Sequence, residues 1–306
     1  MSTYKRPDFL KSQLASLLQQ TFENFEIVVS DNDPDASGQQ VANSFNDPRI
    51  QYECNIENLG MVKSFNKSIE RARGEFIVMV TDDDPVSADF LSIFFDIVGA
   101  HPGFSLYGGF GRTGKRKGEI EIIDKDAFLS EILDPTKTYD LLWSSCLLRK
   151  QALVQTGKLA DYGGPHLVDH AMMTMVGSVN HALVVNNMYS SINSHQSNFS
   201  KSNLDIYFYS CQGFYNLLWP FCEGRSFKQK NHRVIKKHLS RWLVTSMFNL
   251  RRHFTAGSKD PAMINEIDKV SKKIMELPYM KGAIPRYQLK LFIFNCKKTL
   301  GLIKKA

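Results

Sequence analysis

The 306-residue chain lacks several features that would assign a protein class at once. Its five cysteines (Cys54, Cys146, Cys211, Cys222 and Cys296) include no Cys-x-x-Cys pair, which excludes a zinc ribbon and argues against a disulfide scaffold. With 19 glycines and 11 prolines, the chain is neither collagen-like nor low in complexity. It contains no apolar run of about 18 residues and no apolar signal core, so we predict neither a membrane-spanning helix nor a secretory signal. Free thiols are typical of a reducing compartment, and we predict a cytoplasmic protein.

The charge is distributed unevenly along an otherwise globular composition, with 43% hydrophobic and 23% charged residues. Residues 1–200 contain 17 Lys and Arg against 25 Asp and Glu, a net charge of −8. Residues 201–306 contain 21 against 6, a net charge of +15. This shift predicts two domains, 1–200 and 201–306, of which the second is a basic helical extension. Such a surface is either simply solvated or suited to an anionic membrane or a nucleic acid.

Helix and strand patterns alternate in the first hundred residues. Leu10 and Leu14 recur at helical spacing, whereas residues 25–29 and 76–80 are short apolar runs typical of strands. This β-α-β order predicts an α/β fold with a mostly parallel sheet flanked by helices. Ligands of such sheets bind at the carboxyl ends of the strands.

Acidic residues follow both apolar runs directly, at Asp31–Asp33 and at Asp82–Asp84. Two unit charges 4 Å apart repel by about 4 kcal/mol at an effective dielectric near 20, so the triplet needs water or a cation. Carboxylate oxygens at a strand end suit Mg²⁺ or Mn²⁺. A solvated turn is the plainer reading of an Asp triplet, but the preceding strand and the second cluster favour a metal site.

Four glycines, at positions 108, 109, 111 and 114, interrupt the next segment. Their spacing does not fit the Gly-x-Gly-x-x-Gly pattern of a dinucleotide-binding turn. We therefore predict a flexible loop or hairpin there.

Taken together, several short segments resemble the family 2 inverting glycosyltransferases that have the GT-A fold and use nucleotide sugars. The resemblance extends over roughly residues 2–200 and rests on the order and spacing of five segments: Ser2–Pro7 (STYKRP), Gln20–Asp31 (QTFENFEIVVSD), Asn58–Gly60 (NLG), Ala72–Phe76 (ARGEF) and Thr81–Asp84 (TDDD). Many relatives build bacterial surface polysaccharides.

The resemblance implies roles for residues of both acidic clusters. The nucleotide-sugar residues would be Thr3 and Tyr4 in the base pocket, Asp31 as acceptor from a base N–H, and Asp82 at the ribose or a metal-bound water. Asp83 would ligate Mn²⁺ or Mg²⁺, with Asp84 as a helper. The family usually has Asp where Thr81 stands, which leaves the division of roles within the triplet open. Tyr4 could instead cap the edge of the sheet.

Two more sites follow from the resemblance. Asp169, at the start of a predicted helix, matches the general base, a position where a negative charge is favoured; His170 and Asp161 are the alternatives. His195 matches a metal-ligating histidine, although Asn193 replaces the accompanying Arg and a surface-loop histidine is the other reading.

The resemblance implies inverting transfer of a sugar from a nucleotide-diphospho-sugar, with UDP favoured, to a hydroxyl of a glycan or lipid-linked acceptor. The basic region 201–306 would then hold the enzyme at the inner face of the cytoplasmic membrane. A catalytically impaired, membrane-associated scaffold remains an alternative. A nucleic-acid-binding protein is another, although RNA-binding aromatic signatures, zinc spacing and a clear helix-turn-helix are absent.

The N-terminus departs from the family pattern. Relatives have a buried strand just before the Thr-Tyr segment, and here only Met1 and Ser2 precede Thr3. We therefore expect the first strand to be missing. The start of the chain is assigned too late, the fold compensates, or the protein is impaired, and we favour the first explanation.

Overall fold

The computed structural model describes residues 1–193, 204–256, 260–280 and 282–299. These fall into two compact units: the described residues of Met1–Asp161 with Leu167–His195, and those of Tyr162–His166 with Gln196–Ala306. The division differs from the predicted boundary at residue 200, because residues 162–166 belong with the C-terminal helices. The assignment of these parts as a catalytic domain and an extension stays a prediction.

The first unit alternates strands and helices. Its strands are β1 (Ser2–Thr3), β2 (Ile27–Asp31), β3 (Ile50–Cys54), β4 (Phe76–Ile77), β5 (Leu106–Gly109), β6 (Gly111–Arg112), β7 (Ile120–Ile123), β8 (Thr138–Asp140), β9 (Cys146–Arg149) and β10 (Ala182–Val185). Its helices are α1 (Pro7–Leu17), α2 (Gln39–Ser44), α3 (Met61–Arg71), α4 (Phe90–Ala100), α5 (Lys125–Ile132), α6 (Lys150–Gln155) and α7 (Val168–Gly177).

The strands form a mixed set of sheets, which confirms the α/β class and refines the expected pairing. Strands β1, β2 and β3 form a parallel sheet in that order. A second sheet has the order β4-β9-β5-β10-β7, in which only β5 and β10 are parallel. A short antiparallel pair joins β6 to β8. The apolar runs in the sequence could not predict this mixture of parallel and antiparallel pairs, because a strand buried on both faces is apolar whatever the direction of its neighbours.

A two-residue strand stands at the N-terminus, where the first strand was expected to be missing. Ser2 and Thr3 pair in parallel with Ser30 and Asp31 of β2. Met1 is buried, and its amino group donates to the carbonyl of Val28 at 2.7 Å. This short strand sets the position of the Thr-Tyr segment relative to the end of β2.

The helical pattern of the first segment is confirmed by α1. Pro7 stands at the first position of the helix, where its missing N–H costs nothing. Leu10 and Leu14 are fully buried against Ile27 and Val29 of β2. Hydrophobic burial on this face therefore fixes α1 beside the strand that carries the first acidic cluster.

The prediction of a flexible loop or hairpin around the glycines is wrong in its first alternative for Gly108 and Gly109, which lie in a strand rather than a loop. Both lie in the buried strand β5, in the interior of the second sheet. A Cβ atom on Gly109 would stand 2.6 Å from the carbonyl oxygen of Asn187 and from the hydroxyl of Ser145. Close packing, rather than a turn, requires glycine at this position.

The second unit is helical, as predicted. It contains α8 (Asp205–Phe221), α9 (Lys228–Ala256), α10 (Pro261–Met275) and α11 (Ala283–Thr299). The segment Tyr162–His166 packs on these helices. The centre of the His166 ring lies 4.4 Å from that of Tyr207 and 5.5 Å from that of Trp242. Within the described ranges, every helix is too short or too polar to cross a lipid bilayer.

Candidate active site

The second acidic cluster lies in the loop between β4 and α4 and contacts the N-terminal segment directly. The hydroxyl of Thr3 donates to Asp82 Oδ2 at 2.9 Å. The guanidinium of Arg6 bridges two carboxylates, with Nη1 2.9 Å from Asp82 Oδ1 and Nη2 2.8 Å from Asp83 Oδ2. Two of the predicted site residues, Thr3 and Asp82, are therefore in contact, and Arg6 links Asp82 to Asp83.

Burial dominates the electrostatics of Asp82, which is only 5% exposed. The loss of solvation raises its pKa from 3.8 to about 6, against the opposing effects of Arg6 and the Thr3 hydrogen bond. The neighbouring Asp83 carboxylate adds to the increase. Asp82 is thus a carboxylate that is costly to keep charged at neutral pH, a property common at functional sites.

Sequence reasoning missed Arg6. The available signal was its place within the Ser2–Pro7 segment, two residues after Tyr4. A guanidinium presents parallel N–H groups in a rigid fork, so it can satisfy two carboxylates at once. The repulsion expected within the triplet is therefore relieved partly by a cation from the chain itself.

Asp84 ties the acidic loop to Asn193 and to α1. Its Oδ1 accepts from the backbone N–H of Asn193 at 2.9 Å, and its carbonyl accepts from the side chain of Gln13 at 2.8 Å. Gln13 is a buried residue of α1. His195, two residues beyond Asn193, lies outside the described residues, and its role as a metal ligand stays a prediction.

Asp31 ends β2 beside Thr3, its register partner in β1. Its carboxylate is fully buried and accepts from the backbone N–H groups of Asp33 and Gly38 at 3.0 and 2.9 Å. The hydroxyl of Tyr52 donates a third hydrogen bond at 2.6 Å. Protein donors thus take up most of the acceptor capacity of this carboxylate, and its contact with a nucleotide base stays a prediction.

Polar contacts fix the Asn58–Gly60 segment against the end of β2. The Asn32 side chain donates to Asn58 Oδ1 at 2.7 Å and accepts from the Leu59 N–H at 2.9 Å. Gly60, at φ +77°, adopts a left-handed conformation that favours glycine and starts α3. Two of the segments that carry the family resemblance are therefore adjacent in space.

Tyr4 is exposed, next to a strained position in the backbone. Lys5 has φ 53°, an unusual value for a residue other than glycine, and its amino group lies 5.6 Å from the centre of the Tyr4 ring. This conformation turns the chain between β1 and α1 so that Thr3 and Arg6 both reach the acidic loop. The role of Tyr4 in base binding stays a prediction.

Asp169 lies in the first turn of α7, as the sequence predicts, after Leu167 in a left-handed conformation with φ 65°. Its carboxylate is about one-third exposed and stands 3.8 Å from His170 Nε2. Burial, followed by the Asp169 charge, raises the pKa of the Cys146 thiol, so this cysteine is not a reactive thiolate. The alternative base, Asp161, lies 3.9 Å from the Lys63 amino group.

The donor set is compatible with a divalent ion. Across the described residues, no three Asp, Glu, His or Cys side chains lie close enough together to form a complete metal site. Carboxylates such as those of Asp83 and Asp84 are nevertheless the hard oxygen donors that Mg²⁺ and Mn²⁺ prefer, and such ions often take further ligands from water and substrate phosphates. The residues present therefore fit an ion that is completed by a substrate.

Solved structures with the same fold include glycosyltransferases. Staphylococcus aureus TarS (residues 1–349, in complex with UDP-GlcNAc) superposes with a TM-score of 0.61 at 15% identity, covering 94% of this chain and 90% of that one. The mannosyltransferase PcManGT of Pyrobaculum calidifontis, in complex with GDP-Man and Mn²⁺, gives 0.58 at 15% identity and covers 94% and 84%. At this identity the likeness establishes the GT-A fold alone.

The sequence relatives include glycosyltransferases as well. The chain is 25% identical over 147 residues to the Escherichia coli UDP-Glc:alpha-D-GlcNAc-diphosphoundecaprenol beta-1,3-glucosyltransferase WfgD, covering 48% of this chain and 54% of WfgD. It is 26% identical over 161 residues to the glycosyltransferase GlyA of Streptococcus pneumoniae, covering 51% and 23%. It thus spans about half or less of the length of these relatives. The glycosyl transferase family 2 model matches residues 1–156, just over half of the chain, which therefore belongs to this family of transferases.

Proposed function

We propose that the chain is an inverting, metal-assisted glycosyltransferase. The donor would be a nucleotide-diphospho-sugar, with UDP as the first nucleotide to test, and the acceptor a hydroxyl of a glycan or lipid-linked sugar. The observation that carries the proposal is the contact of Thr3 and Arg6 with Asp82 and Asp83 where the parallel strands end. The UDP-GlcNAc bound to TarS and the UDP-Glc and diphosphoundecaprenol in the name of WfgD support the choice of substrates.

In this proposal the N-terminal segment, the end of β2 and the acidic loop between β4 and α4 bind the nucleotide. Thr3 and Tyr4 line the base pocket, and the buried carboxylate of Asp31 stiffens its wall through Tyr52 and two backbone N–H groups. Asp82, held by Thr3 and Arg6, faces the ribose. Because these contacts already exist without a substrate, little reorganisation would be needed when the nucleotide binds.

Asp83 and Asp84, together with His195, would hold Mn²⁺ or Mg²⁺, which offsets negative charge on the departing diphosphate when bound. The Asp83 carboxylate already forms an ion pair with Arg6, so the metal ion would have to share this carboxylate with Arg6 or displace the guanidinium from it. Either outcome leaves the guanidinium close to where the diphosphate carries its charge, where it would add a second cation.

Asp169 is the proposed general base. Its carboxylate accepts the proton of the acceptor hydroxyl while the hydroxyl oxygen attacks the anomeric carbon opposite the diphosphate, which inverts the configuration. A base of this kind contributes roughly 10²- to 10⁴-fold to the rate. The partly exposed position in the first turn of α7 leaves the carboxylate accessible to an acceptor.

Thermal shift and transfer assays test this function. UDP-Glc, UDP-GlcNAc and GDP-Man are compared with and without Mn²⁺; the correct donor stabilises the fold by about 2.7 kcal/mol at a hundredfold excess over its dissociation constant. Asp83→Ala should remove the Mn²⁺-dependent part of this stabilisation. Asp169→Asn should keep it and lower transfer by about 10²-fold or more.

Asp161→Asn is the matched control for the base, because Asp161 is the alternative acid. Full transfer by Asp169→Asn and loss in Asp161→Asn would reassign the base. If no sugar nucleotide changes the melting temperature, the function proposed here is wrong and the scaffold alternative gains support.

A further inference from the structure

One face of α11 exposes large apolar side chains. Leu289, Phe292 and Ile293 are 58%, 66% and 43% exposed. Their spacing of three and four residues places them on one side of the helix. The opposite side carries Tyr287 and Phe294, which are buried. The exposed residues, called here the α11 stripe, are therefore additional to the face that packs within the unit.

A row of cations borders the α11 stripe. Arg286, Lys290 and Lys297 follow one another at intervals of four and seven residues, which aligns them beside the stripe. Hydrogen bonds orient two of them: Arg286 donates to the Ser240 hydroxyl and Lys290 to the Thr245 hydroxyl, each at 3.2 Å. The side chains of Arg286 and Lys290 are therefore held in place beside the stripe.

Few negative charges offset this row. The sequence contains no Asp or Glu from position 277 to its end at 306. Burial, followed by the positive charge of Arg241 on α9, lowers the pKa of Lys290. The charged residues of α11 itself are thus all cations.

Of the possible binding partners for the α11 stripe and the row of cations, a lipid surface fits these observations best. A second copy of the chain, related by a twofold axis, would set one row of cations against the other. A nucleic acid would pair with the cations and leave the apolar side chains in water. An anionic bilayer offers acyl chains to the stripe and phosphates to the row at the same depth.

We propose that α11 lies in the interface of an anionic bilayer, with the α11 stripe towards the acyl chains and Arg286, Lys290 and Lys297 at the headgroups. The 17-residue helix is about 26 Å long and lies along the surface rather than crossing it. This binding is independent of the proposed transfer reaction, and a lipid-linked acceptor would gain from it only if that reaction is correct.

Vesicle flotation with the full chain tests the proposal. Vesicles of phosphatidylcholine alone are compared with vesicles that contain roughly 30% phosphatidylglycerol, at about 0.05 and 0.5 M salt. We expect binding to the anionic vesicles only, weakened at high salt. Leu289→Gln/Phe292→Gln should lower the partition coefficient by about tenfold or more. Arg286→Gln/Lys290→Gln/Lys297→Gln should remove the difference between the two lipids.

The control removes exposed apolar surface elsewhere. Ile120 and Ile122 on β7 are 44% and 60% exposed, so Ile120→Thr/Ile122→Thr is a matched change and should leave flotation unaltered. Equal losses in both double variants would overturn the proposal. Circular dichroism and melting temperature establish that each variant is folded.

A second measurement does not depend on these variants. Cys296 is exposed and lies seven residues after Leu289, on the same side of α11, so a polarity-sensitive dye can be attached there. Its emission should shift to the blue with anionic vesicles. No shift, or a dimer that forms without lipid and is lost in Leu289→Gln/Phe292→Gln, would contradict binding to a bilayer. Neither assay contains a donor or acceptor, so the outcome is separate from that of the transfer assays.

Discussion

The charge of Asp82 should destabilise the folded protein at neutral pH. Its pKa is about 6 in the fold against an ordinary 3.8, so the folded state holds the proton more tightly than the unfolded chain. The contribution of this group to the free energy of unfolding is therefore complete below about pH 4 and declines as the pH rises to about 6. The difference between the two pKa values corresponds to about 3 kcal/mol.

Asp82→Asn removes this titration and keeps a similar shape and an oxygen for the Thr3 hydroxyl. Unfolding in urea is followed by tryptophan fluorescence for wild type and variant at about pH 4.5, 5.5, 6.5 and 7.5, with a chelator present. The free energy of unfolding of the variant, minus that of wild type, should increase by about 1.5–2 kcal/mol from the lowest pH to the highest, because part of the full effect lies below pH 4.5. The partial exposure of Arg6 places the expected value below the full shift.

The comparison is made as a difference because other groups titrate in the same range. Burial lowers the pKa of the Met1 amino group from 8.0 to about 5, so its contribution to stability grows from about pH 5 to pH 8, opposite to that of Asp82. This contribution is common to both proteins. Asp96→Asn, at an exposed position of α4, controls for the loss of a carboxylate. If Asp82→Asn follows the wild-type pH dependence, Asp82 is not the costly charge described here.

Three further changes have definite expected outcomes, each measured by chemical denaturation. Gly109→Ala should cost about 1–3 kcal/mol, because the new methyl group would stand 2.6 Å from packed atoms; Gly99→Ala, with open space on α4, should be neutral or stabilising. Arg112→Met should cost about 3 kcal/mol, because this buried guanidinium pairs with two glutamates, and Arg112→Lys should recover only part of the loss. Arg6→Gln should raise the pKa of Asp82 above about 6, seen as an upward move of the pH range in which stability declines; no move would mean that Arg6 does not stabilise the charge.

The sequence predicts the first half of the fold well, because its signals there are local. The run at residues 25–29 and the helical spacing of Leu10 and Leu14 correspond to β2 and α1. At residues 76–80 only Phe76 and Ile77 join a strand ladder. Hydrophobic patterning marks which residues are buried, whereas ladder pairing depends on partners that are distant in sequence.

The glycines of β5 and the bridging role of Arg6 could not be predicted for a related reason. Glycine in a sequence usually indicates a turn. Only the folded structure shows that Gly109, within β5, is packed closely against Asn187 and Ser145. Arg6 stands 76 and 77 residues from its two partners, so no local pattern joins them. The acidic triplet was visible because its three members are consecutive.

The charges at this site explain why a buried carboxylate can persist there. Arg6 supplies one positive charge to the two carboxylates of Asp82 and Asp83, so the group stays one charge short of neutrality when both acids are ionised. A second guanidinium would neutralise it and stabilise the fold, but would leave no negative charge to attract a divalent ion. Under the proposed function, the remaining charge, and the raised pKa of Asp82 that comes with its burial, would be the stability cost of a site that takes a cation with its substrate.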